Sequence, residues 1–163
     1  MPTIFQTPQE LFNHVGKNIE NSPYLQIDQN RIDTFADATG DHQWIHVDPK
    51  AAAKGPYGST IAHGYLTLSL VNYFLPQMME VKNISMGINA GCNKIRFPNV
   101  VRVGARLRGT GEVISVSEKK GAIEAIIRIA IEIKGEQKPA CVVDTVSRYF
   151  PENSKEASRA DSR

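Results

Sequence analysis

Two side chains able to move protons stand five positions apart, Asp41 and His46, within Thr39-Gly40-Asp41-His42-Gln43-Trp44-Ile45-His46-Val47-Asp48-Pro49. Adding or removing water beside a carbonyl needs one group to activate the water and another to carry the α-proton. An imidazole, with a reference pKa of about 6.5, serves either role near neutral pH. Spacing alone equally fits a plainer arrangement, in which Gly-Asp only caps a helix and His46 is a satisfied polar residue. A second element follows at Ile61-Ala62-His63-Gly64. Gly64 opens an apolar stretch, and the free N–H groups of a helix start suit an oxyanion forming on a thioester carbonyl. Glycine also lets a substrate approach closely. His63 either borders that substrate or caps and packs the helix.

His42 and His46 lie four apart, with Asp41, Asp48 and His63 close by, so a metal is the competing chemistry. On a helix that spacing puts both imidazoles on one face. Gly40 has just ended one helix and Asp48-Pro49 starts another, leaving too little chain between for a regular helix. The spacing also matches no zinc pattern, and no metal is expected. Asn72 is polar among apolar neighbours and needs a hydrogen-bond partner, from substrate or from backbone. Lys94 and Arg96, in Asn93-Lys94-Ile95-Arg96-Phe97-Pro98, are cations that could meet phosphates or simply be solvated.

The elements that must hold these residues read from period and punctuation. Thr7, Pro8 and Glu10 mark a short helix over Pro8 to Val15, stopped by Gly16. Tyr24 to Asp28 is a strand candidate. Asp28 or Gln29 then opens a helix with Ile32, Phe35, Ala36 and Thr39 at helical spacing, and Gly40 stops it, so that Asp41 sits on a rigid support. Asp48-Pro49 begins a short Ala-rich helix that ends at Gly55-Pro56. From Gly64 to about Val81 the apolar residues cover nearly the whole circumference, which calls for burial on all sides. That helix of about 18 residues would be about 27 Å long, with Pro76 kinking it near its end.

The second half changes period. Ile123, Ala125, Ile127, Ile129, Ile131 and Ile133 alternate with Glu124, Arg128 and Glu132, which defines a long half-buried antiparallel strand. Leu107 to Val116 pairs with it across Glu118-Lys119-Lys120-Gly121, with a bulge expected near Gly109 and Gly111. Ile84 to Phe97 and Ala140 to Phe150 supply two more strands. A long buried helix followed by four long strands gives an α+β architecture, a curved sheet wrapped around the helix. One sheet cannot cover a helix that is apolar all round, so a second copy is expected to complete the core.

Size and composition exclude other classes. At 163 residues the chain fits one domain, taken as residues 1–150 with a polar, frayed tail over 151–163. Hydrophobic residues make up 41% and charged ones 22%, an ordinary globular balance. The net charge is +2 and no basic cluster exceeds Lys119-Lys120, which sets nucleic acid aside. Cys92 and Cys141 lack any CxxC spacing and read as buried thiols in a reducing compartment. No apolar run is long enough to insert in a membrane and the start is unlike a signal peptide, so the expected location is the cytoplasm.

Several separated motifs now add up. Phe35-Ala36-x-Ala38-Thr39-Gly40-Asp41-x-x-x-Ile45-His46-x-Asp48-Pro49, Ile61-Ala62-His63-Gly64, Arg96-Phe97-Pro98 and Val103-Gly104 together resemble the MaoC-like dehydratases, the (R)-specific enoyl-CoA hydratases, most closely the subgroup related to nodulation protein N. The resemblance implies a hot-dog fold, a homodimer, and reversible syn hydration of a trans-2-enoyl-CoA to an (R)-3-hydroxyacyl-CoA. It implies Asp41 and His46 on the water and the Gly64 N–H on the thioester oxygen. His63, Asn72 and Arg96 would line the substrate site. No cofactor is implied, coenzyme A being part of the substrate. Where the family has Asn-Pro, this chain has Gln43-Trp44, and a family serine in the central helix falls at Asn72. Acyl-CoA thioesterase on the same fold and a non-catalytic CoA-ester binding protein are the alternatives.

Overall fold

The computed structural model describes residues 1–152. The chain runs β1 (Thr3–Phe5), a 3-10 helix (Pro8–His14), β2 (Asn18–Ile19), β3 (Leu25–Gln26), α1 (Gln29–Thr39), α2 (Trp44–Val47) and α3 (Pro49–Ala53). It continues through α4 (Gly64–Ser69), α5 (Val71–Met78), β4 (Met79–Val81), β5 (Ile84–Arg96), β6 (Arg106–Lys119), β7 (Ala122–Ile133) and β8 (Cys141–Pro151). The main sheet has the order β2-β6-β7-β8-β5, with β3 also on β6, and its long strands are antiparallel. This is the hot-dog arrangement, an α+β fold with the sheet curved around the central helical segment.

The alternation in β7 sets the core. All six odd positions from Ile123 to Ile133 are buried, while Arg128 is exposed and Glu124 and Glu132 are half-buried on the other face. That outer face is held by ion pairs between directly opposed residues: Arg108–Glu132 at 2.9 Å, Arg128–Asp144 at 2.8 Å and Arg148–Glu124 at 2.8 Å. Opposed charges of this kind stabilise a sheet by about 0.2–1 kcal/mol each. The turn between β6 and β7 is tight, Lys119 pairing with Ala122, and Gly121 takes the positive φ of 72° that the turn requires.

The expected bulge is displaced. The β6–β7 register shifts between Val113 and Ser115, not at Gly109 or Gly111. The glycines serve the helix instead: a Cβ on Gly109 would lie 2.7 Å from Met78 Sδ and 2.9 Å from Phe74 Cβ. Their lack of a side chain lets α5 lie directly on the sheet.

The central helix is not one continuous element. It breaks at Leu70, whose N–H is shared between the carbonyls of Leu66 (3.1 Å) and Thr67 (3.2 Å). Ser69 Oγ donates to Tyr65 O at 2.5 Å, a back-bond of the kind that bends helices. Pro76 lies inside α5, and the helix ends at Met78 because Met79–Val81 leaves as β4 to pair in parallel with β1. Leu66, Leu70, Val71, Phe74 and Met78 are buried, but Tyr65 is 74% and Tyr73 45% exposed. Within the described residues, one side of this segment is covered, not its whole circumference.

At the N-terminus, Pro8–His14 is a 3-10 rather than an α-helix. Thr7 makes no side-chain cap, and Glu10 Oε2 accepts from the N–H of Gln6 at 2.7 Å. Pro151, assigned to the tail on composition, is the last residue of β8; the rest of the expected frayed tail, from residue 153, lies outside the described residues. No helix among the described residues is long and apolar enough to cross a membrane.

Candidate active site

The site grows from the two ends of α1. Asp28 caps its start, Oδ1 accepting from Arg31 N–H at 2.8 Å, and Ile32 and Ala36 bury one face. Gly40 closes it in the left-handed conformation, φ 82°, with its N–H on Ala36 O at 2.8 Å. Asp41 emerges at that turn with its carboxylate half exposed.

The segment that follows is helical after all. A single turn, α2, fits between the two larger helices because Asp48 N–H closes on Trp44 O at 3.0 Å. It turns His46 inward, 7% exposed, and leaves Trp44 44% exposed. The indole packs on Gly55, where a Cβ would stand 3.0 Å from the ring. The Gln43-Trp44 departure thus buries its bulk against the loop after α3.

His46 is fixed by one short bond, Nδ1 to the carbonyl of Ile61 at 2.7 Å. A carbonyl only accepts, so the Nδ1 carries the proton and Nε2 keeps its lone pair. Nε2 has no bond within the described residues and is not sealed off from solvent. His63, 3% exposed, stacks on it with ring centroids 3.8 Å apart and planes inclined by 22°, while Phe35 backs the His63 ring at 4.9 Å. His63 Nε2 donates to the backbone carbonyl of Asp41 at 3.0 Å and lies 4.0 Å from its carboxylate. His63 Nδ1 is left buried without a partner. One ligand-type atom from each of Asp41, His46 and His63 falls within a 4.8 Å cluster.

Gly64 stands beside them as the first residue of α4. Its N–H has no partner within the described residues, as expected for the first turn of a helix. The Phe97 ring covers it; a Cβ on Gly64 would touch that ring at 3.4 Å. Phe97 is itself 45% exposed.

The other candidates make no bond to this cluster among the described residues. Arg96, on β5 next to Phe97, pairs in register with Val142 of β8. It and Lys94 there add to Arg128 in holding the Asp144 carboxyl below the usual carboxylate range. Asn72 is exposed rather than buried, and no side-chain bond to it exists among the described residues. It lines a 190 Å³ cavity between the helical segment and the sheet, with Tyr65, Ser69, Asn89, Cys92 and Thr145. His42 points to solvent and pairs with Asp37 at 2.8 Å, which raises its pKa, so it does not join His46. Cys92 and Cys141 are both free, but Cys92 is exposed on β5 rather than buried; burial pushes the Cys141 thiol up to about 11.

Spacing did not reveal Gln29 and Thr60. Gln29 reads in the sequence only as the start of a helix, yet its amide donates to His46 O at 2.7 Å and to Asp33 Oδ1 at 2.9 Å. Its carbonyl oxygen accepts from Thr60 Oγ1 at 2.5 Å.

A hot-dog sheet carrying a carboxylate, an oriented imidazole and a free backbone N–H in one place defines a class: enzymes that perform acid–base chemistry beside a thioester carbonyl. The comparisons narrow it. Residues 10–132 match the MaoC like domain. The chain is 44% identical over 146 residues to the 3-hydroxyacyl-thioester dehydratase Z of Mycobacterium tuberculosis, covering 89% of this chain and 97% of that protein. It is 38% identical over 145 residues to nodulation protein N of Rhizobium leguminosarum, covering 85% and 89%. Among solved structures, the R-hydratase PhaJ1 of Pseudomonas aeruginosa superposes with a TM-score of 0.66 at 22% identity, covering 85% and 83%. The chain belongs to the MaoC-like dehydratase family and is a lyase of the hydro-lyase kind.

Proposed function

We propose that this protein is an (R)-specific enoyl-CoA hydratase, adding water reversibly to a trans-2-enoyl-CoA to give an (R)-3-hydroxyacyl-CoA. The observation that carries this is the His46 ring, whose Nδ1–H is committed to Ile61 O so that the neutral ring keeps its lone pair on Nε2, in a cluster with the Asp41 carboxylate and His63. Water held between these two groups loses a proton to Nε2 as its oxygen bonds to C3 of the enoyl thioester. The charge that flows to the thioester oxygen is held by the Gly64 N–H. The proton taken from water then returns from the dyad to C2, so that H and OH add with nothing else consumed. Both arrive from the side where Asp41 and His46 stand, which gives syn addition. His63 and Phe97 border this space, one behind the His46 ring and one over Gly64.

The reaction as proposed uses no metal or cofactor. Supporting this, the His46 and His63 rings stack nearly parallel, so their in-plane lone pairs do not converge on one ion. The working protein is proposed to be a cytoplasmic homodimer. In support, β5 is a sheet edge with no further strand on it among the described residues, and Tyr65, Tyr73, Met86, Ile88, Ile95 and Phe97 are all exposed on or beside it and the helical segment.

The test is turnover of crotonyl-CoA, followed at the enoyl-thioester absorbance band. Asp41→Asn and His46→Gln are each expected to cut kcat by about 10²–10⁴ with circular dichroism unchanged. Wild-type rates in both variants would refute the assignment.

A further inference from the structure

We infer that Gln29 and Thr60 form a clamp that sets the orientation and proton position of His46, making them positioning residues for the proposed hydration, on which this inference rests. The His46 hydrogen bond has two ends. One is the imidazole, carried by the single helical turn α2; the other is the Ile61 carbonyl, on a segment 15 residues later in the chain. A one-turn helix has little internal rigidity of its own, since nucleating a turn fixes several dihedrals for one hydrogen bond. Something else must hold the two ends together.

Gln29 does so with both halves of its amide. Its NH2 donates to the backbone carbonyl of His46, and its carbonyl oxygen accepts from the hydroxyl of Thr60, the residue preceding Ile61. Its second N–H goes to Asp33 Oδ1 one turn along α1, which anchors the amide to the better-built helix. Thr60 is 1% exposed, and its backbone carbonyl accepts from Val103 N–H at 3.0 Å. Ile61 N–H donates back to Ile45 O at 3.0 Å, and Ala62 N–H donates to Val101 O at 2.7 Å. The acceptor strand is thus fixed from behind by the 101–103 segment and in front by Gln29.

The consequence is chemical. The proton stays on Nδ1 only while Ile61 O is in line with it, and Nε2 offers its lone pair to water only in that tautomer. The hydrogen bonds of Gln29 go to the His46 backbone, Asp33 and Thr60 and not to the imidazole, so its loss acts through the placement of His46. Removing an orienting partner by even a small displacement costs about tenfold to a hundredfold in rate.

Four variants test it: Gln29→Glu, Gln29→Ala, Thr60→Val and Thr60→Ser. Glu keeps the shape of Gln29 but replaces the NH2 donor by an acceptor facing two oxygens. Val keeps the shape of Thr60 and removes the hydroxyl, and Ser restores it. Expected is a fall in kcat for trans-2-enoyl-CoA hydration of about tenfold or more in Gln29→Glu, Gln29→Ala and Thr60→Val, with KM within about twofold, and near wild-type turnover in Thr60→Ser. The downfield proton NMR signal of the His46 Nδ1–H should be sharp in wild type and Thr60→Ser and exchange-broadened in the other three. An active wild type with unchanged kcat and an unchanged His46 signal in folded Gln29→Glu and Thr60→Val overturns the clamp. If wild type hydrates no enoyl-CoA, the functional proposal fails instead, and the NMR signal alone decides the clamp.

Discussion

His46 is held at its backbone, its ring edge and its ring face, by Gln29, Ile61 and His63 respectively. Asp41 is treated differently. Its backbone carbonyl is tied to His63, but its carboxylate is half exposed and only Oδ1 is engaged, by Gln43 N–H at 3.3 Å. One member of the pair is therefore rigid and oriented, and the other is open to water, a division that suits binding a water molecule between them. His42, by contrast, belongs to the surface. Asp37 raises its pKa above the ordinary 6.5, so the pair contributes stability that is full below pH 6.5 and is lost as pH rises through the raised value. A His42→Gln variant should melt below wild type at pH 5.5 and together with it at pH 9, read by thermal unfolding at both pH values, with activity unaffected at neutral pH.

Among the elements, the long strands were the most legible part of the sequence, because strict alternation over β7 admits one face inward and one outward. Helix α1 was equally plain, with Asp28 at its start and Gly40 at its end behaving as caps. Strands β1 and β2 were not legible: two or three residues carry no period. The break at Leu70 was not legible because it lies where the Leu70 N–H is shared between the Leu66 and Thr67 carbonyls beside the Ser69 back-bond, which leaves no mark on the apolar pattern. The same limit applied to the site. Asp41, His46 and Gly64 were legible as candidates by type and spacing, and the structure places them at neighbouring element ends. The facing of Arg96 was not legible because it depends on bulges in β5 around Asn89 and Asn93, and Gln29 was missed because its bonds join segments far apart in sequence. Glycine placement carries a prediction at this scale. Gly109→Ala should destabilise the protein by about 1–3 kcal/mol in urea unfolding, since the added methyl meets Met78 Sδ and Phe74 Cβ inside contact distance.

At the scale of the whole molecule, the apolar inventory does not close within one chain. Tyr65 and Tyr73 on the helical segment and Met86 and Ile88 on β5 remain exposed, and among the described residues β5, 13 residues long, has an unpaired edge. Tyr65 adjoins Gly64 and Phe97 covers it, so the uncovered surface reaches the reacting groups. A second copy laid along this edge would shelter both. Placing a charge there, as Ile88→Asp, is expected to shift the proposed dimer to monomer in sedimentation velocity and to lower turnover by about tenfold or more, because bulk solvent would then screen the Gly64 N–H where charge develops on the thioester oxygen. A monomeric variant with full activity would sever the link between assembly and catalysis.

The most direct measurement is the product itself. Purified wild-type protein is incubated with trans-2-enoyl-CoAs of short, medium and long chain, and the 3-hydroxyacyl-CoA formed is analysed for configuration alongside a free-thiol assay. The account predicts loss of the enoyl absorbance, an (R)-3-hydroxy product and no coenzyme A release. Free thiol without hydration, an (S) product, or tight binding of every enoyl-CoA with no turnover would contradict it.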